Sequence, residues 1–386
     1  MSDILIGKEN FGIEEVYKIK FSNTIHNLLA VGTTNTLQIL RVKEDYSSTV
    51  IEVFRIGNRI QHIAWGPCSS ITTEDNVEIL KYELLIACED QSLRLIKSQS
   101  NPRNHQTKSK TSIKVFGQGY TGHSGRITSI AWCSVSGYSN IIASSGSDNC
   151  ILIWNIETNP SGTGEEEEDT HHIPSPTLLG PLRFTPISIS FHPNSSSRLM
   201  VYDLTGTIKI IDWTKPNQPI LLSLIEPRSL IRKLNSTHLF SQRFGMAEWK
   251  LDEVDVFGAI NGNRWSVWDL RSTKAGNPMA TGETGSQDVI PDVFKWCPTN
   301  SRLFALSSSS PNSFTSGIGA IQIYFTSFPQ SPRTVQLPDE IIQSRSRVHD
   351  IEWQPMISNH DVLAVAVGRQ LLWIQVGKKD STFSLT

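Results

Sequence analysis

One segment of this 386-residue chain, residues 122–155, places four side chains at offsets that a chance sequence rarely provides. It reads GHSGRITSIAWCSVSGYSNIIASSGSDNCILIWN, with His123 after the first glycine, Ser144 within the second apolar stretch, Asp148 in the SDN turn and Trp154 near the end of the third stretch. Apolar stretches between turn residues predict three consecutive antiparallel strands. We expect these four side chains to hydrogen-bond across the strands and to have a structural role, because a buried polar network specifies geometry.

The segment resembles a complete WD40 repeat, and a degraded form of the same unit recurs along the chain. A single repeat of this kind cannot bury its own sheet, so a ring of repeats is expected. The other copies span residues 16–42, 60–96, 187–213, 245–270, 293–325 and 348–376. Fourth strands are predicted within residues 49–56, 113–119, 176–182 and 219–225, and residues 4–7 are placed to complete the last blade. The sequence therefore predicts an all-β fold: one seven-bladed β-propeller domain over residues 1–386.

The copies differ in how much of the polar pattern they keep. Asp148 and Trp154 occur together only in the third copy, whereas the second, fourth and fifth copies combine Asp90 with Ile96, Thr205 with Ile211 and Gly262 with Trp268. We expect these degraded blades to depend on apolar packing between sheets instead of a polar network.

Three insertions interrupt the pattern, at about residues 98–112, 159–176 and 307–319. The first is basic, the second holds the acidic run from Glu165 to Asp169, and the third is rich in Ser and Gly. One interpretation is solvated loops with local charge balance. The alternative is a basic face for an acidic partner or a nucleic acid, although the basic loop has no aromatic residues to stack on bases. The net charge of −2 demands neither nucleic acid nor membrane, so direct nucleic-acid binding is not expected.

The sequence indicates a reduced intracellular protein without catalytic chemistry. Its five cysteines show no CxxC spacing, and no long apolar run predicts a signal peptide or a membrane span. GxGxxG, phosphate-loop, GxSxG and HExxH motifs are absent, so no catalytic residue and no cofactor is predicted. His171 and His172 lie in a polar insertion without further ligands, so no metal site is predicted either. A propeller without catalysis is expected to be a binding platform, but the fold alone does not name its partner.

The order of the blades resembles the thirty-seven-kilodalton nucleoporin family of small WD40 scaffold proteins. The resemblance rests on RIQHIAWGP, the complete repeat, FHPNSSSRLMVYDLTGTIKIIDW, GAINGNRWSVWDLRS and the final QLLWIQV, in that order. It implies a scaffold subunit of the Y-shaped outer-ring coat of the nuclear pore complex, at the nuclear envelope. It further implies docking on a large short-arm nucleoporin made of a propeller and an α-solenoid, in support of pore assembly, mRNA export and protein transport.

Two other functions fit the sequence. Trp268-Asp269-Leu270-Arg271 matches a WDxR pattern by which some WD40 proteins attach to the adaptor of a cullin-type ubiquitin ligase, with Arg271 as the surface contact. A propeller of a membrane-trafficking coat would share the scaffold role and differ in partner. The sequence leaves the partner-binding face open. Trp265 falls on a blade strand, so we expect it to pack between sheets and not to act as a surface anchor.

Overall fold

The computed structural model describes residues 3–74, 77–100, 110–156, 175–215, 217, 219–228, 245–272, 276–284, 291–308, 320–326, 328–335, 337–344, 346–355 and 360–377. Within these residues the strands form seven antiparallel sheets, which are the seven blades of a β-propeller. Neighbouring strands within a blade follow one another along the chain, except at the ring closure and in blade 2, where β6 pairs with β8 and β7 lies between them in sequence. The predicted fold class is therefore confirmed.

The strands are numbered in chain order, and each of blades 1 to 6 runs from the central channel outward. Blade 1 consists of β2 (Val16–Phe21), β3 (Leu28–Thr33), β4 (Thr36–Val42) and β5 (Ser48–Arg55). Blade 2 consists of β6 (Ile60–Trp65), β7 (Ser70–Glu74), β8 (Val77–Cys88), β9 (Leu93–Ser100) and β10 (Lys110–Phe116). Blade 3 consists of β11 (Ile127–Trp132), β12 (Ile141–Gly146), β13 (Ile151–Asn155) and β14 (Thr177–Leu179).

The second half of the ring follows the same plan. Blade 4 consists of β15 (Pro186–Phe191), β16 (Arg198–Asp203), β17 (Thr207–Asp212) and β18 (Ile220–Ile225). Blade 5 consists of β19 (Gly245–Trp249), β20 (Val256–Asn261), β21 (Arg264–Asp269) and β22 (Ala280–Glu283). Blade 6 consists of β23 (Val293–Trp296), β24 (Leu303–Ser308), β25 (Ala320–Phe325) and β26 (Phe328–Val335). Blade 7 consists of β27 (Val348–Trp353), β28 (Asp361–Val367), β29 (Gln370–Val376) and β1 (Ile4–Asn10).

Blade 7 closes the ring with the first strand of the chain. Strand β1 pairs antiparallel with β29, from Ile4 opposite Gln375 to Asn10 opposite Gln370. The placement of residues 4–7 predicted this closure. A closed ring leaves no sheet edge unpaired at the seam, so the first and last parts of the chain hold each other in register.

Blade 2 is longer than the repeat pattern predicts. Strand β7 pairs with the first half of β8, and β8 continues into its pairing with β6. Residues 98–100 and 110–112, predicted to be part of a loop, belong to β9 and β10 instead. The strands extend into the predicted loop because their alternating polar side chains can be solvated at the outer edge of the blade, while the backbone continues the hydrogen-bond ladder.

Apolar side chains fill the spaces between adjacent blades. Leu85 and Leu95 of blade 2, for example, pack with Ile142 and Trp154 of blade 3 in one buried cluster. Each strand contributes alternate side chains to its two faces, and both faces of a blade are covered by neighbours. Fully burying one such side chain stabilises the fold by roughly 1.5–3 kcal/mol, so the ring depends on every blade.

The innermost strands of five blades carry a register irregularity directly after their first residue. The irregularities fall at Tyr17, Gln61, Thr128, Ile187 and His349. A β-bulge of this kind re-aims the following side chains. The described helices are a 3-10 turn (Gly119–Thr121) and α1 (Asp339–Ser344). Among the described residues no helix is both long and apolar enough to cross a membrane.

Candidate functional site

The four side chains predicted to form a network come together in blade 3. Nδ1 of His123 lies 3.0 Å from Oδ2 of Asp148, and Nε2 lies 2.8 Å from Oγ of Ser144. Trp154 Nε1–H donates to the same Ser144 Oγ at 2.9 Å. Because a carboxylate only accepts, we infer that Nδ1–H donates to Asp148. The Ser144 oxygen accepts from Trp154, so its hydroxyl proton is directed at Nε2 of His123.

Asp148, His123 and Ser144 are hydrogen-bonded in the same order as the Asp, His and Ser of a serine-hydrolase triad. The arrangement nevertheless cannot perform the chemistry of that triad. Ser144 and Trp154 are fully buried, and His123 is nearly so. A nucleophilic serine must reach a substrate carbonyl beside an oxyanion site. Ser144 instead lies between His123 and Trp154, and its oxygen is already bonded to both. The arrangement therefore ties the start of blade 3 to its turn and to its third strand.

Two of the degraded blades hold polar clusters of their own, contrary to the expectation that they depend on apolar packing alone. In blade 4, buried Asp203 accepts hydrogen bonds from the N–H of Thr205 at 2.9 Å and from Nζ of Lys209 at 2.9 Å. In blade 5, buried Arg264 forms ion pairs with Glu226 and Glu283. The repeat pattern does not predict these clusters, because none of their ionic residues occupies the turn position of Asp148.

Asp90 of blade 2 also has a local role. Its Oδ1 accepts the N–H of Ser92 at 3.1 Å and the hydroxyl of Ser92 at 2.6 Å, and its Oδ2 lies 3.4 Å from Nη2 of Arg94. The Asp90 pKa is lowered: burial raises it, but the hydrogen bonds from Ser92 and the charge of Arg94 outweigh burial. Asp90 therefore shapes the β8–β9 turn.

The Trp268-Asp269-Leu270-Arg271 motif is divided between the interior and the surface. Trp268 is fully buried and donates to Ser266 Oγ at 2.9 Å. Arg271 is exposed, but its backbone N–H and its Nε–H both donate to Asp269 Oδ1, at 2.9 and 3.0 Å. The hydrogen bond from Arg271 is the main cause of the lowered Asp269 pKa. Trp265 lies between blades 5 and 6, as expected, with Phe304 at 5.2 Å between ring centroids.

A chain of ion pairs links the innermost strands of four consecutive blades. Nζ of Lys20 in blade 1 lies 2.6 Å from Glu352 of blade 7. The other oxygen of Glu352 lies 2.9 Å from Nζ of Lys295 in blade 6, and Lys295 lies 3.2 Å from Glu248 of blade 5. A second ion pair lies two residues earlier in the strands of Lys20 and Glu352, where Nζ of Lys18 is 3.4 Å from Oδ1 of Asp350. Nothing in the repeat pattern predicted this chain.

The outermost strands carry exposed apolar side chains on five consecutive blades, a surface referred to below as the rim. Val50 and Val53 of β5, for example, are 48% and 49% exposed. The members are Ile4, Leu5, Val50, Val53, Ile113, Val115, Leu178, Ile220 and Leu221. Exposed apolar side chains that are grouped together on a folded protein mark protein–protein contact regions, and each of these five outer strands contributes one or two such side chains. The rim is thus the candidate docking surface of the described residues.

The acidic run from Glu165 to Asp169, the histidines at 171 and 172 and most of the basic and Ser/Gly-rich insertions lie outside the described residues. Within the described ranges, no group of three or more His, Cys, Asp or Glu side chains could hold a metal ion.

Comparison with known proteins finds sequence similarity to nucleoporins. No protein-family model matches the chain. The chain is 25% identical over 287 residues to mouse Nucleoporin Nup37, covering 72% of each chain. It is 24% identical over 305 residues to human Nucleoporin Nup37, covering 79% of this chain and 76% of the relative. Raptor from Chaetomium thermophilum has the same fold, with a TM-score of 0.65 and 13% identity over 97% of this chain and 29% of the longer Raptor chain. The sequence likeness to two mammalian nucleoporins and the seven-bladed ring agree, and the chain is similar to Nucleoporin Nup37.

Proposed function

We propose that this chain is a non-catalytic scaffold subunit of the outer ring of the nuclear pore complex, the Y-shaped coat. The observation that carries the proposal is the sequence likeness to Nup37 over more than two thirds of the chain. In this role all of residues 1–386 act as one domain that docks on a large nucleoporin made of a propeller and an α-solenoid. Pore assembly, mRNA export and protein transport depend on the chain through that assembly.

The rim supplies a physical basis for docking. Association costs translational freedom and the ordering of loops, and only the remaining free energy appears as affinity. The backbone of the rim is already fixed in β-sheet ladders, as the pairing of β5 with β4 and of β10 with β9 illustrates. Its apolar side chains can therefore be buried with little loss of backbone entropy. A few buried apolar or aromatic contacts usually supply most of the binding energy of an interface.

Affinity purification of the tagged chain from its native cells, followed by mass spectrometry, tests the proposal. The expected result is recovery of the Y-shaped coat, with the large propeller–solenoid nucleoporin most enriched, and a fluorescent signal at the nuclear rim. Recovery of a vesicle coat with vesicular fluorescence, or of a cullin adaptor, without any nucleoporin would overturn it.

Two sets of variants connect the result to the structure. Val50→Glu combined with Val53→Glu, and Ile220→Glu combined with Leu221→Glu, introduce charge at two separate parts of the rim. At least one pair is expected to abolish recovery of the coat, because burying an unpaired carboxylate is costly. Leu251→Glu is the matched control, since Leu251 is 64% exposed but lies in the β19–β20 loop, off the rim. If both rim pairs leave recovery unchanged, docking does not use the rim.

The variant Arg271→Ala distinguishes the scaffold role from the ubiquitin-ligase alternative. Arg271 is exposed and its guanidinium is oriented by Asp269. In the scaffold role this variant leaves recovery of the coat unchanged. A role as an adaptor-bound receptor requires instead that the variant release a cullin adaptor.

A further inference from the structure

The outermost strand of blade 2 is the longest regular sheet edge among the described residues. Strand β10 pairs with β9 over seven residues, from Lys110 to Phe116, with no register irregularity. No other described strand pairs with β10 on its outer side. About half of the backbone N–H and C=O groups of such an outermost strand point away from its neighbour. These groups of β10 can form hydrogen bonds with an added strand.

The other six outermost strands have features that hinder the addition of a strand. Strands β14 and β22 have only three and four residues. Register irregularities interrupt the pairing of β1, β5, β18 and β26, and β26 also contains Pro332. Short length, bulges and proline protect a sheet edge from pairing with another chain. Since β10 has none of these features, it is the outermost strand that best fits an added one.

One face of β10 carries two lysines. Phe116 turns this face toward blade 3, because its ring lies 5.2 Å from that of Trp154 between centroids. Lys110 and Lys114 precede Phe116 by six and two residues, and alternate residues of a strand share a face. Lys110 is exposed and Lys114 is partly exposed. The edge therefore presents positive charge on the side of blade 3.

The neighbouring strands add positive charge to the same face. Residues opposite one another in paired strands share a face, so Lys81 of β8 and Lys97 of β9 lie on the face of Lys110 and Lys114. Lys81 and Lys97 are exposed, and Nζ of Lys97 lies 2.9 Å from Glu83. Glu83 is the only acidic residue that the described strands β8, β9 and β10 place on this face. Four lysines against one glutamate leave the face with a net positive charge.

The other face of β10 is apolar where it is exposed. Ile113 and Val115 are 45% and 44% exposed and belong to the rim. Thr111 shares this face and donates to Glu52 of blade 1 at 3.0 Å, so the face is directed toward blade 1. Strand β10 thus offers cations on one side, apolar side chains on the other and unpaired backbone groups between them. Lysines on an edge strand oppose pairing with basic or purely apolar strands, whereas an acidic strand would neutralise them.

We propose that β10 binds an extended segment of a partner protein in which acidic and apolar residues alternate, as an added outermost strand of blade 2. The acidic side chains of the segment lie beside Lys110 and Lys114, and its apolar side chains lie beside Ile113 and Val115. Opposite charges and apolar side chains facing each other across two strands both stabilise a sheet. Backbone hydrogen bonds supply affinity in this mode of recognition, and the alternating side chains supply specificity. The proposal concerns blade 2 alone and does not depend on which protein supplies the segment.

Fluorescence anisotropy tests the proposal, with the full chain titrated into a labelled eight-residue peptide of alternating Glu and Val. We expect saturable binding that weakens as salt is added, because salt screens exposed charges. A peptide of the same composition, with four Glu followed by four Val, should bind about tenfold more weakly, since only alternation matches both faces of β10. Hydrogen exchange measured by mass spectrometry should slow in residues 110–116 when the alternating peptide is bound. No saturable binding, or binding without slower exchange in these residues, would overturn the proposal.

Reversing the charge of the edge makes the test specific. Lys110→Glu combined with Lys114→Glu should weaken binding of the Glu–Val peptide by about tenfold or more, because favourable cross-strand pairs become repulsive. The same double variant should instead bind a peptide of alternating Lys and Val, which also shows that it is folded. Lys43→Glu combined with Lys215→Glu is the control, since it changes the net charge equally at exposed lysines of blades 1 and 4. If the control weakens binding as much, the peptide responds only to net charge and the proposal is wrong.

Two further measurements distinguish a partner segment from other acidic occupants. One uses a variant in which the acidic run from Glu165 to Asp169 is replaced by serines. If this variant binds the peptide and the wild-type chain does not, the chain's own acidic run competes for the lysines, which would contradict a partner segment. The other uses an oligothymidylate of eight nucleotides. If it binds as tightly as the Glu–Val peptide, the lysines select any polyanion and strand addition is excluded as the basis of recognition.

Discussion

Glu352 joins the innermost strand of blade 7 to that of blade 1, because its Oε1 lies 2.6 Å from Nζ of Lys20, 332 residues away in sequence. Its other oxygen faces Lys295 of blade 6. One carboxylate therefore holds two blade interfaces on the side of the channel where the ring closes.

This position predicts a stability that depends on pH. Burial raises the pKa of Glu352, but Lys20 and Lys295 together outweigh burial and leave it below its usual value of 4.5. A lowered pKa stabilises the folded state above the unfolded-state value, and this contribution is lost as pH falls through the folded-state value. Glu352→Gln should therefore lower the free energy of unfolding at pH 7 by about 3 kcal/mol, because two lysines lose their buried partner. The variant should also make the free energy of unfolding depend less on pH below about 4.5.

Urea unfolding at several pH values between 3 and 7 measures both effects. Glu340→Gln is the control, since Glu340 pairs with Lys8 at the surface and is 79% exposed. Its loss should cost much less than the loss of Glu352, because solvent screens an exposed ion pair. Equal losses from the two variants would show that Glu352 does not stabilise the seam.

Ser144 should contribute more to stability than another buried serine with a single partner. Ser144→Ala removes the hydrogen-bond partner of both His123 Nε2 and Trp154 Nε1. Leaving a buried polar group unsatisfied costs about 1–3 kcal/mol, so a loss of about 3 kcal/mol is expected. Ser266→Ala in blade 5 removes only the acceptor of Trp268 Nε1–H and should cost about 1 kcal/mol. Thermal and urea unfolding compare the two, and a smaller loss at Ser144 would argue against a cooperative network.

Gly258 should tolerate no side chain, because blade 6 packs directly onto it. A Cβ at this position would lie 2.0 Å from Cζ of Phe294. Gly258→Ala is expected to destabilise the fold by about 1–3 kcal/mol through overpacking. Phe294→Leu removes the clashing ring, so the double variant should be more stable than the sum of the two single effects. Additive effects in unfolding measurements would show that the two residues are not in contact.

The cysteines should differ sharply in reactivity. Cys68 is exposed, whereas Cys88, Cys133 and Cys297 are buried. Burial raises the pKa of Cys88 to about 11 and that of Cys297 to about 12. Because the thiolate is the reactive form, iodoacetamide at pH 7.5 should label Cys68 first in the folded protein. Peptide mass spectrometry measures the order, and unfolding in guanidinium should make the five rates similar. Early labelling of Cys297 would contradict the packing of blade 6.

The ring could be predicted because its signal is local and repeated. Alternation along each strand, turns such as Ser147-Asp148-Asn149 and the apolar stretch at residues 4–7 lie within short windows of sequence. Each blade then needs its neighbours to cover its faces, and closure follows from the number of repeats.

The polar contacts between blades could not be predicted in this way. Lys20 and Glu352 lie in strands that pack together only after the ring has closed, and neither residue belongs to the repeat pattern. Asp203 directly precedes its turn and corresponds to Gly146 of blade 3. The pattern of the third blade therefore does not predict an acidic residue at this position.

The pairing of β1 with β29 also sets an order of events during synthesis. Residues 4–10 leave the ribosome well before their partners, residues 370–376, which are among the last described residues to emerge. The outermost strand of blade 7 thus remains unpaired while the other six blades are made, and the loop that its pairing closes spans nearly the whole chain. Contacts of such long range are slow to form. The final closing of the ring is therefore the step at which the nascent chain exposes an unpaired β-edge for longest, and where a chaperone or the partner protein has the most to protect.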